Sequence, residues 1–313
     1  MKEAKGNEVE ETQGGERRGR RGKWRIVLLV GLLVALLAAL LVPPTAAVFW
    51  QQRLNKQLRA MAGESGLYNE EALGPAWYVK LADEYKLPAR RQPVTFCSQR
   101  VTDEDMAVVG RAITLRAVML DGSDISDAGM THLEGLTKMQ SLYLDNTRIG
   151  DAGLAHLSEL TELRILRLSG TKVSDAGLVH LAGLTKLQAL RLYNTKIGDA
   201  GLAHLSGLAE LRALYLQETK VSDAGLVHLE KLKNLSWLSL YGTQVTDEGL
   251  VQLEELKNLH WLDLTGTQVT DAGLVHLKSL KRLNTLVLSG TRVTPEGIAD
   301  LKSAMPNVKV DFK

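Results

Sequence analysis

Six of the seven histidines, His132, His156, His180, His204, His228 and His276, recur at 24 residues or a multiple of it. A ladder of imidazoles suggests metal chelation, but packed helices lie about 8–10 Å apart. Two imidazoles on one zinc, each bonded at about 2.0–2.1 Å, must bring their nitrogens within about 4 Å. The spacing therefore predicts helix-flank residues bonded to neighbouring backbone, with Gln252 and Asp300 taking the same place in two units. Asp103, Asp127, Asp151, Asp175, Asp199, Asp223, Asp247 and Asp271 form a second column with the same step. Calcium needs about six to eight oxygens around one point, whereas this column supplies one carboxylate per step, so it reads as helix capping. The glycines of a third column, from Gly129 to Gly297, stand two residues after the Asp position and form no phosphate-cradling GxGxxG. They allow close packing. Cys97 is the only cysteine, which excludes an intramolecular disulfide and a Cys-based zinc cage. No nucleophile elbow or HExxH stands out. The expectation is a protein without catalytic residues, metal or cofactor.

These columns belong to one repeating unit, DAGLxHLxxLTxLxxLxLxxTxVS, nearly intact from Asp175 to Gly198. About nine such units run from Asp103 to the C-terminus, and the first and last diverge most, as end caps do. The Ser or Thr before each Asp, such as Ser126, Ser174, Ser222, Thr246 and Thr270, can accept a hydrogen bond from an orphan helix N–H. Leu178, Leu181 and Leu184 have helical spacing, and Leu187, Leu190 and Leu192 supply a short strand. Another column, Ser123, Thr147, Thr171, Thr195, Thr219, Thr243, Thr267 and Thr291, follows the strand, where hydroxyls can satisfy turning backbone amides. One unit exposes both faces, so stacking is obligatory.

With these motifs the chain resembles the leucine-rich-repeat superfamily. Its 24-residue wording is similar to the repeats of F-box and cysteine-containing adaptors and of bacterial membrane-anchored repeat proteins, with Thr where that family carries Cys or Asn. The resemblance covers about 210 of 313 residues. It implies an α/β solenoid, a horseshoe with a concave parallel β-sheet and short convex helices, used for binding.

Side chains alternate along a strand, so residues beside the strand leucines face the concave surface. Within 103–313 the aromatics are Tyr143, Tyr193, Tyr215, Trp237, Tyr241, Trp261 and Phe312, and all but Phe312 take those outward positions. Arg167, Arg191, Gln217, His260 and Asp263 flank them. Together these eleven residues, without Phe312, are the candidate ligand-binding set. Tyr, Trp and Arg dominate binding hot spots.

Ahead of the repeats, 27 uncharged residues separate Arg25 from Arg53, beginning with the apolar run Ile26 to Val42. About 20 such residues cross a bilayer. Trp24, Phe49 and Trp50 flank the run, and Arg17, Arg18, Arg20, Arg21, Lys23 and Arg25 crowd its N-terminal side. The positive-inside rule then places the N-terminus in the cytoplasm and the repeats on the periplasmic or extracellular side. The expected organisation is a disordered basic tail over 1–22, a transmembrane signal-anchor helix over 23–50, a juxtamembrane linker and cap helix over 51–92 and the solenoid over 93–313. A cleaved signal peptide is the competing reading, since Thr45-Ala46-Ala47 offers small residues to a peptidase.

Charge narrows the partner. Residues 1–53 hold nine Lys and Arg against five Asp and Glu, while 103–313 hold 22 against 26, so the repeat region has no electrostatic support for nucleic-acid binding. The expected partner is a protein or peptide on the concave face, besides the bilayer at residues 24–50. Carbohydrate or envelope-polymer recognition by the same face is the first alternative. A substrate adaptor like the F-box proteins of ubiquitin ligases is the second.

Overall fold

The computed structural model describes residues 94–97 and 101–312. The basic tail expected over 1–22, the transmembrane helix expected over 23–50 and the linker and cap helix expected over 51–92 lie outside them. Among the described residues no helix is long and apolar enough to cross a membrane.

Ten strands form one sheet, β1 (Val94–Cys97), β2 (Leu115–Met119), β3 (Ser141–Tyr143), β4 (Ile165–Arg167), β5 (Ala189–Arg191), β6 (Ala213–Tyr215), β7 (Trp237–Ser239), β8 (Trp261–Asp263), β9 (Thr285–Val287) and β10 (Lys309–Asp311). They lie in sequence order and pair in parallel. From β3 to β9 the register advances by 24 residues per strand, as in Ile165 opposite Ala189 and Ala189 opposite Ala213. Every repeat position thus becomes a straight column across the sheet.

A short helix follows each strand from β1 to β9, beginning with α1 (Asp103–Val109), α2 (Asp127–Met130) and α3 (Asp151–Ala155). Several units continue from one α-helical turn into a 3₁₀ turn, such as Val179–Leu181 and Val227–Leu229. The last helix, α4 here (Pro295–Ala304), is longer, opening with Pro295 in its first turn and a Thr294 side chain that accepts from the Gly297 amide. Leu178, Leu181, Leu184, Leu187, Leu190 and Leu192 are all fully buried, and the same six positions are buried in the units that follow as far as Leu288. Each such leucine contributes about 1.5–3 kcal/mol before conformational entropy is subtracted, and one continuous core runs from Phe96 to Val308.

The polar columns join the coils differently from the expectation. Each column Asp accepts hydrogen bonds from the next coil: Asp199 Oδ1 from the Ser222 amide at 2.7 Å and Oδ2 from the Ser222 hydroxyl at 2.6 Å. Asp103, Asp151, Asp223, Asp247 and Asp271 repeat this two-point clasp with Ser126, Ser174, Thr246, Thr270 and Thr294. The carboxylate therefore staples adjacent coils rather than capping its own helix. The hydroxyls are mainly donors to it; only some, such as Thr246 and Thr270, also accept from a helix amide. Where Gly150 and Gly198 replace Ser or Thr, Asp127 and Asp175 keep the amide bond alone.

The clasp also explains the glycine column. A Cβ on Gly225 would run into Asp199 Oδ1 and lie 3.1 Å from the Asp199 Cα. The post-strand threonines correct a second expectation: their hydroxyls donate to the carbonyl three residues back, as Thr195 does to Leu192 and Thr219 to Leu216. They satisfy carbonyls, because the turn after the strand aims the oxygen of the last buried leucine at them. The histidines differ as well. His156 and His276 hydrogen-bond Glu134 and Glu254 of the preceding coil at 2.6 Å, so their partners are carboxylates rather than backbone.

Candidate functional site on the sheet face

Three columns face outward from the strands. The first runs Ala117, Ser141, Ile165, Ala189, Ala213, Trp237, Trp261, Thr285, and the second runs Met119, Tyr143, Arg167, Arg191, Tyr215, Ser239, Asp263, Val287. The third lies two residues beyond the second and holds Asp121, Asp145, Ser169, Tyr193, Gln217, Tyr241 and Thr265. Unlike the clasp, these columns change from coil to coil.

Toward the C-terminal side the face is aromatic. Trp237 and Trp261 are direct register partners. Strands lie about 4.8 Å apart, so the indoles stack, with centroids 4.1 Å apart and planes 13° from parallel. Tyr215 meets Trp237 at 6.5 Å in a tilted arrangement. Trp237 and Tyr241 are 38% and 39% exposed, much for large rings on a sheet. The side-chain oxygen of Gln217 is buried between the positions of Tyr193 and Tyr241 without a hydrogen-bond partner. Asp263 Oδ1 accepts from the amide and hydroxyl of Thr265, and Oδ2 accepts from the Ser239 hydroxyl. His260 stands exposed at the edge, bonded to the Asn258 carbonyl and the Ser236 hydroxyl.

Toward the N-terminal side the face is ionic. Arg167 donates to Asp145 through Nε at 2.6 Å and through Nη2, lies 3.6 Å from Asp121 and places its guanidinium 5.1 Å from the centre of the Tyr143 ring. The Asp145 side chain is 3% exposed, and its other oxygen accepts from the Ser169 amide. Burial opposes the charge of Arg167, but bonding to Asp145 and the negative charges of Asp145 and Asp121 hold its pKa above the ordinary arginine value. Burial pushes the Asp121 carboxyl up, helped by the charge of Asp145 and opposed by the Asp145 amide, Arg167 and Arg191. Arg191 stacks over Tyr215 at 4.9 Å.

The eleven residues expected from sequence thus divide. Tyr193, Tyr215, Gln217, Trp237, Tyr241, Trp261, Asp263 and His260 gather on or beside four adjacent strands, with Arg191 stacked at their border. Tyr143 and Arg167 belong to the ionic region, where Arg167 is committed to carboxylates of its own chain. Sequence reasoning missed Asp121 and Asp145. Their position in the third column, beside Tyr193 and Tyr241 in later coils, was the available signal. Among the described residues no group of three or more His, Cys, Asp or Glu could hold a metal ion.

Coils of 24 residues, an in-register parallel sheet and a leucine core define a leucine-rich-repeat solenoid. Comparison with solved structures agrees: internalin C2 of Listeria monocytogenes is 26% identical, with a TM-score of 0.53 over 68% of this chain and 84% of that one. An internalin F of the same species is 19% identical with a TM-score of 0.33, over 76% of this chain and 90% of that one. A leucine-rich-repeat protein of Leptospira interrogans is 18% identical with a TM-score of 0.42, over 66% and 62%. No protein-family model matches the sequence, and no curated protein is similar to it.

Proposed function

We propose that this chain is a membrane-anchored, non-enzymatic binding module that holds a protein or peptide on the aromatic part of its sheet face. One observation carries the reading: exposed rings from consecutive coils are aligned by register into a single stacked surface, on a fold whose buried core needs none of them. Desolvating such rings is how a few residues supply most of an interface's affinity. The anchor and the exported position of the solenoid rest on the uncharged run at 26–52 and the arginines before it. Carbohydrate recognition draws on the same indoles, but their mutual stacking removes one face of each from use as a sugar platform.

The test is capture by crosslinking from intact cells with the full-length chain and with Trp237→Ala/Trp261→Ala. A discrete protein should be recovered with the first and lost with the second, while both give the same circular dichroism. Equal recovery would overturn the site, and glycan binding lost with the same substitutions would move the reading to carbohydrate. Protease added to spheroplasts should remove a C-terminal epitope; protection would reverse the topology.

A further inference from the structure

The proposed site has a charge character of its own. Across β7 and β8 the outward positions are Trp237, Ser239, Tyr241, Trp261, Asp263 and Thr265, with no Lys or Arg among them. Cations around it are Arg191, already stacked on Tyr215, Arg212 just before β6, and Lys309 on β10, two strands beyond Trp261. One further column marks the same region: the residue after the post-strand threonine is Arg148, Lys172, Lys196 and Lys220 in four successive coils, Gln244 and Gln268 in the two coils that carry the tryptophans, and Arg292 after them.

Negative charge is present without compensation. Asp263 is held by hydroxyls and an amide, and no cation of the described residues pairs with it. Glu218 is exposed beside Tyr241 and lies over Gly242, where a Cβ would meet its Oε1 at 2.9 Å. Its backbone is left-handed (φ 53°) at a position where other coils place Gly170, Gly242, Gly266, Asn146 or Asn194. The far face of Trp261 looks toward Thr285, a small residue, instead of another ring. Trp261 and Asp263 stand two residues apart on β8, so a ring face and a carboxylate attract a cation there by two independent means, the ring quadrupole and the full negative charge. Glu218, level with Gly242, lies about 16 Å along the strand direction from the indoles.

Building on the sheet-face reading, we propose that β7 and β8 receive an arginine or lysine side chain from an extended segment of the partner protein. Trp261 and Trp237 form its platform, and Asp263 is its counter-charge.

The test measures fluorescence anisotropy of fluorescein-labelled GRGRGRG peptide with the full-length chain, against GKGKGKG, GQGQGQG and GEGEGEG. The cationic peptides should bind, and the glutamine and glutamate peptides should bind at least tenfold more weakly. Asp263→Asn should weaken the arginine peptide about tenfold, a loss of one decade in Kd. Asparagine keeps the oxygen that Thr265 uses, so folding should survive. Trp261→Ala should weaken binding by a similar factor. Binding of the arginine peptide unchanged by either variant, or absent up to about 1 mM, overturns the proposal. If the glutamine peptide binds as well as the arginine peptide and Trp237→Ala/Trp261→Ala abolishes both, the cation assignment falls while the sheet-face site stands.

Discussion

Along the clasp edge the residues barely change from coil to coil: Asp, then Gly two positions later, then Ser or Thr at the end of the unit. Across the sheet, the first outward column passes from Ala117 through Ile165 to Trp237 and Trp261. Both sets sit on the same coils, so the difference lies in what each must satisfy. The clasp joins a coil to its successor, and identical joints need identical atoms. The sheet face has no such neighbour to match, because backbone hydrogen bonds already fix its register. It is free to vary, and its variation is where recognition can be written. The ionic region around Arg167 is the intermediate case: its residues vary, yet they pair with one another and leave little charge for a partner.

The largest way to break this contrast is at the clasp. Gly225→Ala should displace Asp199 and weaken its bonds to Ser222, lowering stability by about 3 kcal/mol from overpacking and damaged charge-assisted bonds. Thermal unfolding followed by circular dichroism measures it; a loss below about 1 kcal/mol would mean that the coils slide apart without penalty. Next, Trp237→Ala/Trp261→Ala should cost partner binding about 2 kcal/mol or more while sparing the fold. A collapse of folding would place these rings in the structural half of the contrast.

Smaller effects sharpen it. Gly150 and Gly198 have extended backbone (φ −124° and −130°) that serine adopts freely. Gly150→Ser and Gly198→Ser should each restore the missing hydroxyl bond and stiffen the unfolded chain, raising stability by about 1 kcal/mol. No rise in the unfolding midpoint would show that the amide bond alone closes the joint. Glu218→Asn should stabilise by about 0.5 kcal/mol or more, since asparagine tolerates the left-handed region better. A loss of stability would mean that Glu218 serves the fold.

The mildest test is acid. Burial raises the Asp103 carboxyl, but the hydroxyl and amide of Ser126, the amide of Gly129 and the charge of Arg148 outweigh it, leaving its pKa below the ordinary 3.8. Asp271 is lowered by the amide and hydroxyl of Thr294. Both groups bind protons more weakly folded than unfolded. Their stabilisation is complete above the unfolded pKa and is lost as pH falls from about 4 through the lower folded values. Hydrogen-exchange protection, taken relative to the intrinsic rate at each pH, should fall at these first and last clasps below about pH 4, and Asp103→Asn with Asp271→Asn should remove that dependence. An unchanged profile would assign the acid response elsewhere.

The repeat length, the buried leucines and the outward position of the aromatics were all legible in the amino-acid order. A strict 24-residue step admits one way of burying so many leucines, and alternation along a strand sends their neighbours to the opposite face. What the order alone left open was the partner of each polar group. Asp199 meets Ser222 of the next coil, Thr195 meets a carbonyl of its own turn, and His156 meets Glu134 of the coil before. Each choice depends on how far successive coils are offset and turned, which no single coil contains. The same holds for Arg167 and Trp237: one is absorbed by the carboxylate 22 residues back, the other left open beside a second indole, and only stacking in three dimensions separates them.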